Sequence, residues 1–428
     1  MNLNLLYQYW KLKRHEKLSE LDIKKIQWKR LKDILDHAYN NVPFYRKKFD
    51  DEGIKPSDIK TEEDLVRIPI TTKEQLVSAG TDIFAEGYSP KNCFSSKTSG
   101  STGEPFSSYF DSKAWDILKF ASKLRARRAC GLAVGARIIN IEACSAEEAN
   151  ELNKKAKKSP ADLFLKKRFL SVYDKIENHI KFYNSFKPDA LYSFGTYFSE
   201  LIDFAKENKI EWHKPKLIFT SSEILDPLTR KKIEDYFGPN VYDIYGTTEV
   251  KEVAWQCTSK SAYHINDDLY YVEINNNGSY PENIGEIVIT TLVNKAMPLI
   301  RYSVKDLGCL EKGSCSCGLN FSLIKPVYGR DVDTFSLEDG RKVSPYQLTM
   351  SVEQVPGILQ YQIVQKSKKD VLVKIKPDKG WNKESELKID QELKNALDPN
   401  VKIEVRLTGN IEREPNGKFK VVKSEISQ

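Results

Sequence analysis

A short glycine-rich segment is the first part of the chain whose residue types suit chemistry. SSKTSGSTGEPF contains six consecutive residues with a hydroxyl group or no side chain: Thr98, Ser99, Gly100, Ser101, Thr102 and Gly103. Backbone N–H groups of such a turn before a helix, together with its hydroxyls, suit phosphate oxygens. It is not a Walker A loop, because its glycines are three apart and are followed by Glu104-Pro105 rather than lysine. Taken alone, such a loop is more often a flexible turn.

A second group of reactive side chains lies between residues 257 and 317. CTSKSAYH contributes Cys257 and His264, and CLEKGSCSC contributes Cys309, Cys315 and Cys317. Three thiolates and one imidazole would complete a closed tetrahedral zinc site, for which we select Cys257, His264, Cys315 and Cys317. The spacing is not that of a standard finger or ribbon, so buried free thiols are the alternative.

The composition bounds the class of protein. The chain has 428 residues, of which 40% are hydrophobic and 30% charged, as in a globular protein of more than one compact core. Its 67 basic and 60 acidic residues give a net charge of +7, which suits anionic small molecules and no dedicated nucleic-acid stripe. The sequence shows neither a signal peptide nor an apolar run long enough to span a membrane. Seven cysteines are too few for a disulfide scaffold. We therefore expect a cytoplasmic protein.

The elements that must position these segments follow a strand, loop, helix order. GARIINIEA, KPDALYSF, KPKLIFTSSE and NVYDIYGTTE each predict a short strand, and YFSELIDFAKENKI and PLTRKKIEDYF predict helices between them. This order predicts an α/β fold with a mostly parallel sheet and ligand loops at the carboxyl ends of its strands. Nearer the N-terminus, an amphipathic helix that ends before Pro43 presents one apolar face, made of Ile26, Leu31, Ile34, Leu35 and Ala38.

The later part of the chain has a different character. LYYVEINN and GEIVITTLV predict antiparallel strands of a small barrel-like part. After Gly329, a hairpin, a helix and a strand predict a compact α+β unit. We therefore expect a large N-terminal domain, residues 1–329, and a small C-terminal lid, residues 330–428. The lysine-rich run NKKAKKSPADLFLKKR predicts a solvated helical face, with anion docking as the alternative.

Six motifs occur in one order along the chain: TSGSTGEP, TSSE, YDIYGTTE, IRYSVKDLG, GRDVD and NGKFK. This series resembles the adenylate-forming superfamily of acyl-CoA synthetases, adenylation domains and luciferases, over essentially the whole chain. AYNNVPFYR, AMPLIRY and the Cys/His cluster are similar to the phenylacetate-CoA ligase and capsule-biosynthesis (CapK-like) branch.

The resemblance implies an ATP-dependent, AMP-forming ligase for a small-molecule carboxylic acid, with coenzyme A as the acceptor. A carboxylate is already ionised at neutral pH, so the first step requires charge neutralisation and alignment rather than a general base. One alternative is adenylation followed by transfer to an amine, a sugar or a carrier-protein thiol, as in capsule or secondary-metabolite biosynthesis. Another is a non-catalytic nucleotide-binding homologue. A homodimer is the default oligomer.

The resemblance also assigns residues to ATP. Residues 98–103 would hold the β- and γ-phosphates, and Tyr245 offers a flat face for adenine. Gly246 permits close approach of the backbone. Thr248 would donate to the α-phosphate, and Glu249 would bind Mg²⁺.

Further nucleotide-binding residues come from the neighbouring motifs. Thr247 belongs to the same segment. Ser222 and Glu223 would line the adenine side, although Glu223 alternatively caps the next helix. Asp306 would accept the two ribose hydroxyls, a task that suits two carboxylate oxygens. Arg330 would bind phosphate or ribose.

The remaining assignments concern the lid and one departure from the family pattern. Lys418 in NGKFK would stabilise the negative charge that builds during adenylation, and Asp331 would be the hinge. Where the family has Thr-Gly-Asp, this chain has Val304-Lys305-Asp306. Arg301 is either a phosphate or ribose ligand or one half of a structural salt bridge.

The resemblance favours zinc over free thiols at Cys257, His264, Cys315 and Cys317, because the related branch carries a similar Cys, His and Cys-x-Cys arrangement. The zinc would be structural and would tie the loop after YGTTE to the loop after KDLG. All four coordination positions would be filled by protein, which leaves none for a catalytic water.

Overall fold

A computed structural model describes residues 3–97, 106–159, 162, 165–260, 262–276, 278, 280, 283–325, 329–353, 355–414 and 419–426. Thr98 to Gly103 and Lys418 lie outside the described residues, so their assignments stay predictions.

The helices are α1 Leu3–His15, α2 Glu20–Asn41, α3 Pro43–Asp51, α4 Lys73–Ala79, α5 Ser112–Trp115, α6 Ser122–Ala129, α7 Ala146–Lys158, α8 Ile176–Phe186, α9 Gly195–Glu207, α10 Pro227–Phe237, α11 Pro345–Glu353 and α12 Lys383–Ala396. A π-helical stretch, Asp116–Ala121, joins α5 to α6. The strands are β1 Phe94–Lys97, β2 Ser107–Phe110, β3 Arg137–Glu142, β4 Lys166–Ser171, β5 Ala190–Ser193, β6 Leu217–Ser221, β7 Val241–Thr247, β8 Lys251–Gln256, β9 Tyr263–Ile265, β10 Tyr270–Asn275, β11 Gly285–Thr291, β12 Tyr302–Gly308, β13 Leu310–Glu311, β14 Leu323–Ile324, β15 Gly329–Arg330, β16 Phe335–Ser336, β17 Lys342–Val343, β18 Ile358–Gln365, β19 Asp370–Pro377, β20 Lys402–Leu407 and β21 Val422–Ser424.

A nine-stranded sheet forms the centre of the N-terminal part, in the order β13-β14-β9-β8-β7-β6-β5-β3-β4. The strands from β4 to β7 are parallel, and those beyond β7 are antiparallel. All five residues of β6 are buried, as expected for a parallel strand covered on both faces. Helices α8, α9 and α10 contribute to the core on one of these faces. The predicted α/β fold is confirmed, with a sheet that is parallel from β4 to β7 and antiparallel beyond β7.

A second sheet, β10-β11-β12-β15, is antiparallel throughout. It pairs the two runs that the sequence predicts as antiparallel neighbours, with Val272 opposite Ile289. The shift in register between Glu286 and Val288 marks a bulge in the pairing of β11 with β12. This sheet carries Asp306 on β12 and Arg330 on β15 to one place.

The N-terminal helix differs from its prediction at one position. Helix α2 ends at Asn41 and Pro43 begins α3, as expected for proline at a helix start. Ile26 is only half-buried, whereas Leu31, Ile34, Leu35 and Ala38 of the same apolar face are buried. Gln27 is buried instead, because its amide donates to the Asp267 carboxylate (3.2 Å) and to the carbonyl of Tyr270 (2.8 Å).

The lysine-rich run does not form one helical face. Helix α7 ends at Lys158, and Lys166 begins β4, which pairs residue for residue with β3 at the edge of the large sheet. The prediction is therefore wrong for the second half of the run. Strand pairing overrides the helical pattern there, and it turns alternate side chains to opposite faces.

The C-terminal part has its own sheet, β20-β19-β18-β21, in which β18 and β19 form the predicted hairpin. Helices α11 and α12 contribute to a separate hydrophobic core with this sheet, centred on Phe335, Leu348 and Val373. Among the described helices of the whole chain, none combines the length and apolarity needed to cross a bilayer.

Candidate active site

A cavity of about 1690 Å³ lies at the carboxyl ends of the parallel strands, where the fold predicts ligand loops. Its walls also come from β12, from β15 and from residues 419–422 of the C-terminal part. Nine residues assigned to the nucleotide or to magnesium line this cavity: Ser222, Glu223, Tyr245, Gly246, Thr247, Thr248, Glu249, Asp306 and Arg330. Lys97, the last described residue before the glycine-rich loop, also lines it.

Tyr245, Asp306 and Arg330 form a connected group in the cavity wall. The Tyr245 hydroxyl donates to the Asp306 carboxylate at 2.9 Å. The Arg330 Nε atom lies 3.7 Å from the other carboxylate oxygen, because β12 and β15 pair with Asp306 opposite Arg330. Burial and the adjacent Asp306 carboxylate raise the pKa of Tyr245 well above its ordinary value, so the tyrosine keeps its proton. Asp306 is thereby held in one orientation toward the cavity.

The turn between β7 and β8 carries Thr248 and Glu249. A Cβ atom on Gly246 would lie 2.2 Å from the carbonyl oxygen of Lys251, so only glycine fits this crossing of the two strands. The Lys251 ammonium donates to the carbonyl of Thr248 at 2.8 Å, and the Thr247 hydroxyl accepts from the N–H of Glu249 at 3.3 Å. These contacts fix the turn that presents the predicted α-phosphate donor and magnesium ligand.

Glu223 joins the cavity to the C-terminal part. Its buried carboxylate accepts from the Thr196 hydroxyl at 2.7 Å and from the N–H of Phe419 at 2.6 Å. Burial raises the pKa of this carboxyl, because charge is disfavoured there. The alternative that Glu223 caps the next helix is wrong, since Asp226 caps α10. A role of Glu223 toward adenine stays a prediction.

The departure from the family pattern has a structural counterpart. Lys305 has φ = 61°, the left-handed conformation that a glycine adopts without strain. The chain thus keeps a glycine-like backbone with a lysine side chain, whose ammonium pairs with Glu286 at 3.1 Å. Of the two roles considered for Arg301, the structure favours the structural salt bridge. Arg301 is buried, pairs with Glu273 at 3.0 Å and is not part of the cavity lining.

The predicted hinge lies in a 3₁₀ turn, Asp331–Asp333, immediately after β15. The Asp331 carboxylate accepts from the Tyr280 hydroxyl and from the Lys342 ammonium. Asp333 in the same turn pairs with Lys420 at 2.9 Å, so the segment that follows Lys418 is anchored beside it. Whether the chain bends at Asp331 stays a prediction.

The four residues selected for zinc come together outside the cavity lining. The candidate ligand atoms of Cys257, His264, Cys315 and Cys317 all lie within 4.8 Å of one another. The sulfurs of Cys257 and Cys315 are 3.5 Å apart, close to the ~3.8 Å that a tetrahedral site with 2.3 Å Zn–S bonds requires. The sulfur of Cys317 is 3.2 Å from His264 Nε2. This donor set fits zinc.

Sequence reasoning missed a group of cationic side chains in the cavity: Lys119, Lys123, Arg127 and Lys167. The first three recur every four residues, which is a helical stripe that the sequence displays. Lys167 belongs to the lysine-rich run, for which anion docking was only the alternative. That run was interpreted as a helix, because its strand pairing depends on residues far away in sequence.

Comparison with known proteins places the chain in a family. It is 31% identical over 311 residues to a phenylacetate-coenzyme A ligase of Aromatoleum evansii, covering 68% of this chain and 67% of that protein. It is 25% identical over 370 residues to a phenylacetate-coenzyme A ligase of Thermus thermophilus, covering 82% and 79%. The chain belongs to the phenylacetate-coenzyme A ligase family. Residues 335–425 match the model of the CapK C-terminal domain.

A solved structure of 2-hydroxyisobutyryl-CoA ligase, in the postadenylation state with R3-HIB-AMP, has the same fold as this family member. Its TM-score is 0.80 at 20% identity, over 97% of this chain and 92% of that one. The expected adenylate-forming fold is therefore confirmed. The relatives likewise confirm that the chain is a ligase.

Proposed function

We propose that this enzyme activates a small carboxylic acid with ATP and transfers the acyl group to coenzyme A. The convergence of nine motif residues on one cavity of about 1690 Å³ carries the proposal. The names of the relatives support the acceptor, since the phenylacetate and 2-hydroxyisobutyryl enzymes are all called coenzyme A ligases.

In the first step, a carboxylate oxygen of the acid attacks the α-phosphorus of ATP. A bond forms between the acyl oxygen and phosphorus, the bond to the β-phosphate breaks, and pyrophosphate leaves. Asp306 orients the ribose, Tyr245 packs beside the adenine, and Thr248 donates to the α-phosphate. Lys418 stabilises the charge of the transition state. These residues align the acid with ATP and neutralise the phosphate charge. No side chain acts as a general base.

In the second step, the sulfur of coenzyme A attacks the acyl carbon and AMP leaves, while the thiol proton passes to solvent. Residues 330–428 act as the lid, hinged at Asp331. The Glu223 contact to the N–H of Phe419 and the Arg413–Glu200 ion pair hold the lid beside the cavity. Release of these contacts would let the lid turn between the two half-reactions.

Glu249 is the residue that would hold Mg²⁺, which neutralises phosphate charge when bound. Its half-buried carboxylate in the cavity wall supports this role.

Cys257, His264, Cys315 and Cys317 would hold a structural zinc ion. We expect about one zinc per chain by metal analysis and a lower melting temperature after chelation. Cys317→Ser should lose the metal, whereas Cys93→Ser, which changes a cysteine outside the cluster, should keep it. A metal-free protein of unchanged stability would refute the site.

The test of the function is exchange of labelled pyrophosphate into ATP across a panel of aryl, fatty and amino acids. We expect exchange with at least one acid and coenzyme A-dependent release of AMP. Lys418→Ala should slow exchange by about 10²-fold or more. Lys423→Ala is the matched control, because Lys423 lies outside the cavity lining. AMP release that requires an amine or a carrier protein would identify another acceptor. ATP binding without exchange would identify a non-catalytic homologue.

A further inference from the structure

Four cations gather on the cavity wall formed by β4 and by the helical stretch that ends in α6. Lys119 lies in the π-helical stretch, Lys123 and Arg127 lie in α6, and Lys167 lies in β4. They are close enough for Lys119, Lys123 and Arg127 each to act electrostatically on Lys167. Because like charges repel, this arrangement destabilises the protein unless anions neutralise it.

Two carboxylates face the four cations, which leaves two positive charges unbalanced. Both carboxylate oxygens of Glu252 already have cationic partners. Arg127 binds them with its two terminal nitrogens at 3.0 Å, and Lys123 adds a third contact at 3.0 Å. The second is Glu142, which accepts a hydrogen bond from Asn140 at 3.0 Å and interacts with Lys167 and Lys119.

Lys119 and Lys167 are the two cations of the cluster that have no direct ion pair among the described residues. Within the described part of the chain, no carboxylate oxygen lies within 4.0 Å of either ammonium. The Lys167 ammonium lies over the ring of Phe169, 4.7 Å from its centroid. Burial and the neighbouring cations lower the pKa of Lys167 to about 7. Half-buried cations without a direct ion pair are typical of a site that a ligand completes.

The position of this cluster relates it to the acid rather than to the nucleotide. Lys251 links the two regions, since its ammonium donates to the carbonyl of Thr248 at 2.8 Å. The ammonium groups of Lys251 and Lys119 also lie over the same Trp115 ring, 5.6 and 5.5 Å from its centroid. The cluster therefore lines the same cavity as the turn that presents Thr248, and an acid bound at Thr248 could extend its acyl portion along this wall. Aromatic rings accompany it, with Arg127 lying 5.1 Å from the centroid of the Tyr192 ring.

We propose that Lys119, Lys123, Arg127 and Lys167 form an anion subsite, and that the acid substrate is a dicarboxylate whose second carboxylate binds there. This inference rests on the proposed function and names its substrate class. The carboxylate that reacts remains at Thr248, and the second one pairs with Lys119 and Lys167. The phosphate tail of ATP is the other anion that could reach such a cluster, and the test separates the two.

The first experiment compares matched acids in pyrophosphate exchange with the wild-type enzyme. The pairs are phenylacetate with 4-carboxyphenylacetate, benzoate with terephthalate, and butanoate with glutarate. We expect kcat/KM at least tenfold higher for a dicarboxylate than for its monocarboxylate partner. Equal or better exchange with monocarboxylates would overturn the inference and leave the proposed function standing. No exchange with any acid would overturn both.

The second experiment tests the residues. Lys167→Met should raise KM for the dicarboxylate about tenfold or more, leave KM for ATP unchanged and reduce the preference over the monocarboxylate. Lys119→Met should act in the same direction, which guards against a folding defect in one variant. Lys166→Met is the matched control, because the neighbouring lysine is exposed and outside the cavity lining. A rise in KM for ATP instead would assign the cluster to phosphate and refute the proposal.

Discussion

Tyr245 connects β7 to the second sheet through its hydrogen bond to Asp306. Tyr245→Phe removes this bond and keeps the aromatic face. A hydrogen bond to a charged group contributes about 1.5–3 kcal/mol, part of which Arg330 would still supply. We expect KM for ATP to rise about five- to tenfold in exchange assays, with a smaller change in kcat. Tyr242→Phe, on the same strand but outside the cavity lining, should change neither value. An unaltered KM in Tyr245→Phe would mean that Asp306 needs no such support.

Lys167 should make folding stability depend on pH. Its pKa is about 7 in the folded protein and 10.5 ordinarily, so between these values the unfolded chain binds a proton that the folded chain has lost. Stability of the wild type therefore rises with pH in this window. Lys167→Met should be more stable than wild type at pH 6–7, and this advantage should shrink as the pH approaches 10.5.

Urea unfolding at pH 6.5, 8 and 9.5 measures this difference, with Lys166→Met as the control that should follow the wild type. A constant difference between Lys167→Met and wild type across the three pH values would show that Lys167 keeps its ordinary pKa in the folded state.

At the scale of single residues, the sequence predicts those site residues that belong to short local motifs. Tyr245, Glu249 and Asp306 belong to short segments with a fixed order, and the structure brings them to one cavity. The cationic cluster depends on tertiary packing instead. Lys167 reaches Glu142 only because β4 pairs with β3, a contact that no local pattern specifies.

At the scale of elements, the pairing of β7 with β8 depends on Gly246. Gly246→Ala would bring a Cβ atom to 2.2 Å from the Lys251 carbonyl, which is backbone and cannot rotate away. We expect a loss of about 1–3 kcal/mol in the free energy of unfolding and a large loss of exchange activity, because the turn bearing Thr248 and Glu249 must shift. Gly409→Ala, where a Cβ would meet nothing within 4 Å, should change stability by no more than about 0.5 kcal/mol. Similar urea midpoints for the two variants would contradict this account.

Strands with alternating or continuous apolar runs were predicted well, because burial on one or both faces leaves a direct trace in the sequence. Elements of ambiguous composition were not. The run that ends in Lys166, Lys167 and Arg168 has a helical composition, yet its last residues pair with β3 as the edge strand β4. Gln27 takes a buried position on α2 because partners far along the chain satisfy its amide.

At the scale of the whole molecule, Arg413 joins the C-terminal part to the rest. Its Nε atom donates to the Glu200 carboxylate at 3.0 Å, and its guanidinium lies 3.9 Å from Glu223. Arg413→Met should weaken this docking by about 1 kcal/mol and slow pyrophosphate exchange about fivefold. Thioester formation from supplied acyl-adenylate should be unaffected.

Arg406→Met is the matched control, because Arg406 pairs with Glu404 on the surface of the same C-terminal unit. An equal slowing of both half-reactions by Arg413→Met would show that the arginine supports folding rather than the docked arrangement.

One wall of the cavity comes from residues 419–422, and the others come from the N-terminal part. An acyl-adenylate is a mixed anhydride, which water destroys wherever it gains access. If residues 330–428 open as the proposed lid before a thiol arrives, each opening would risk the loss of one ATP. The closure of the cavity by residues 419–422, rather than the rate of the chemical steps, would then determine what fraction of the consumed ATP yields thioester product.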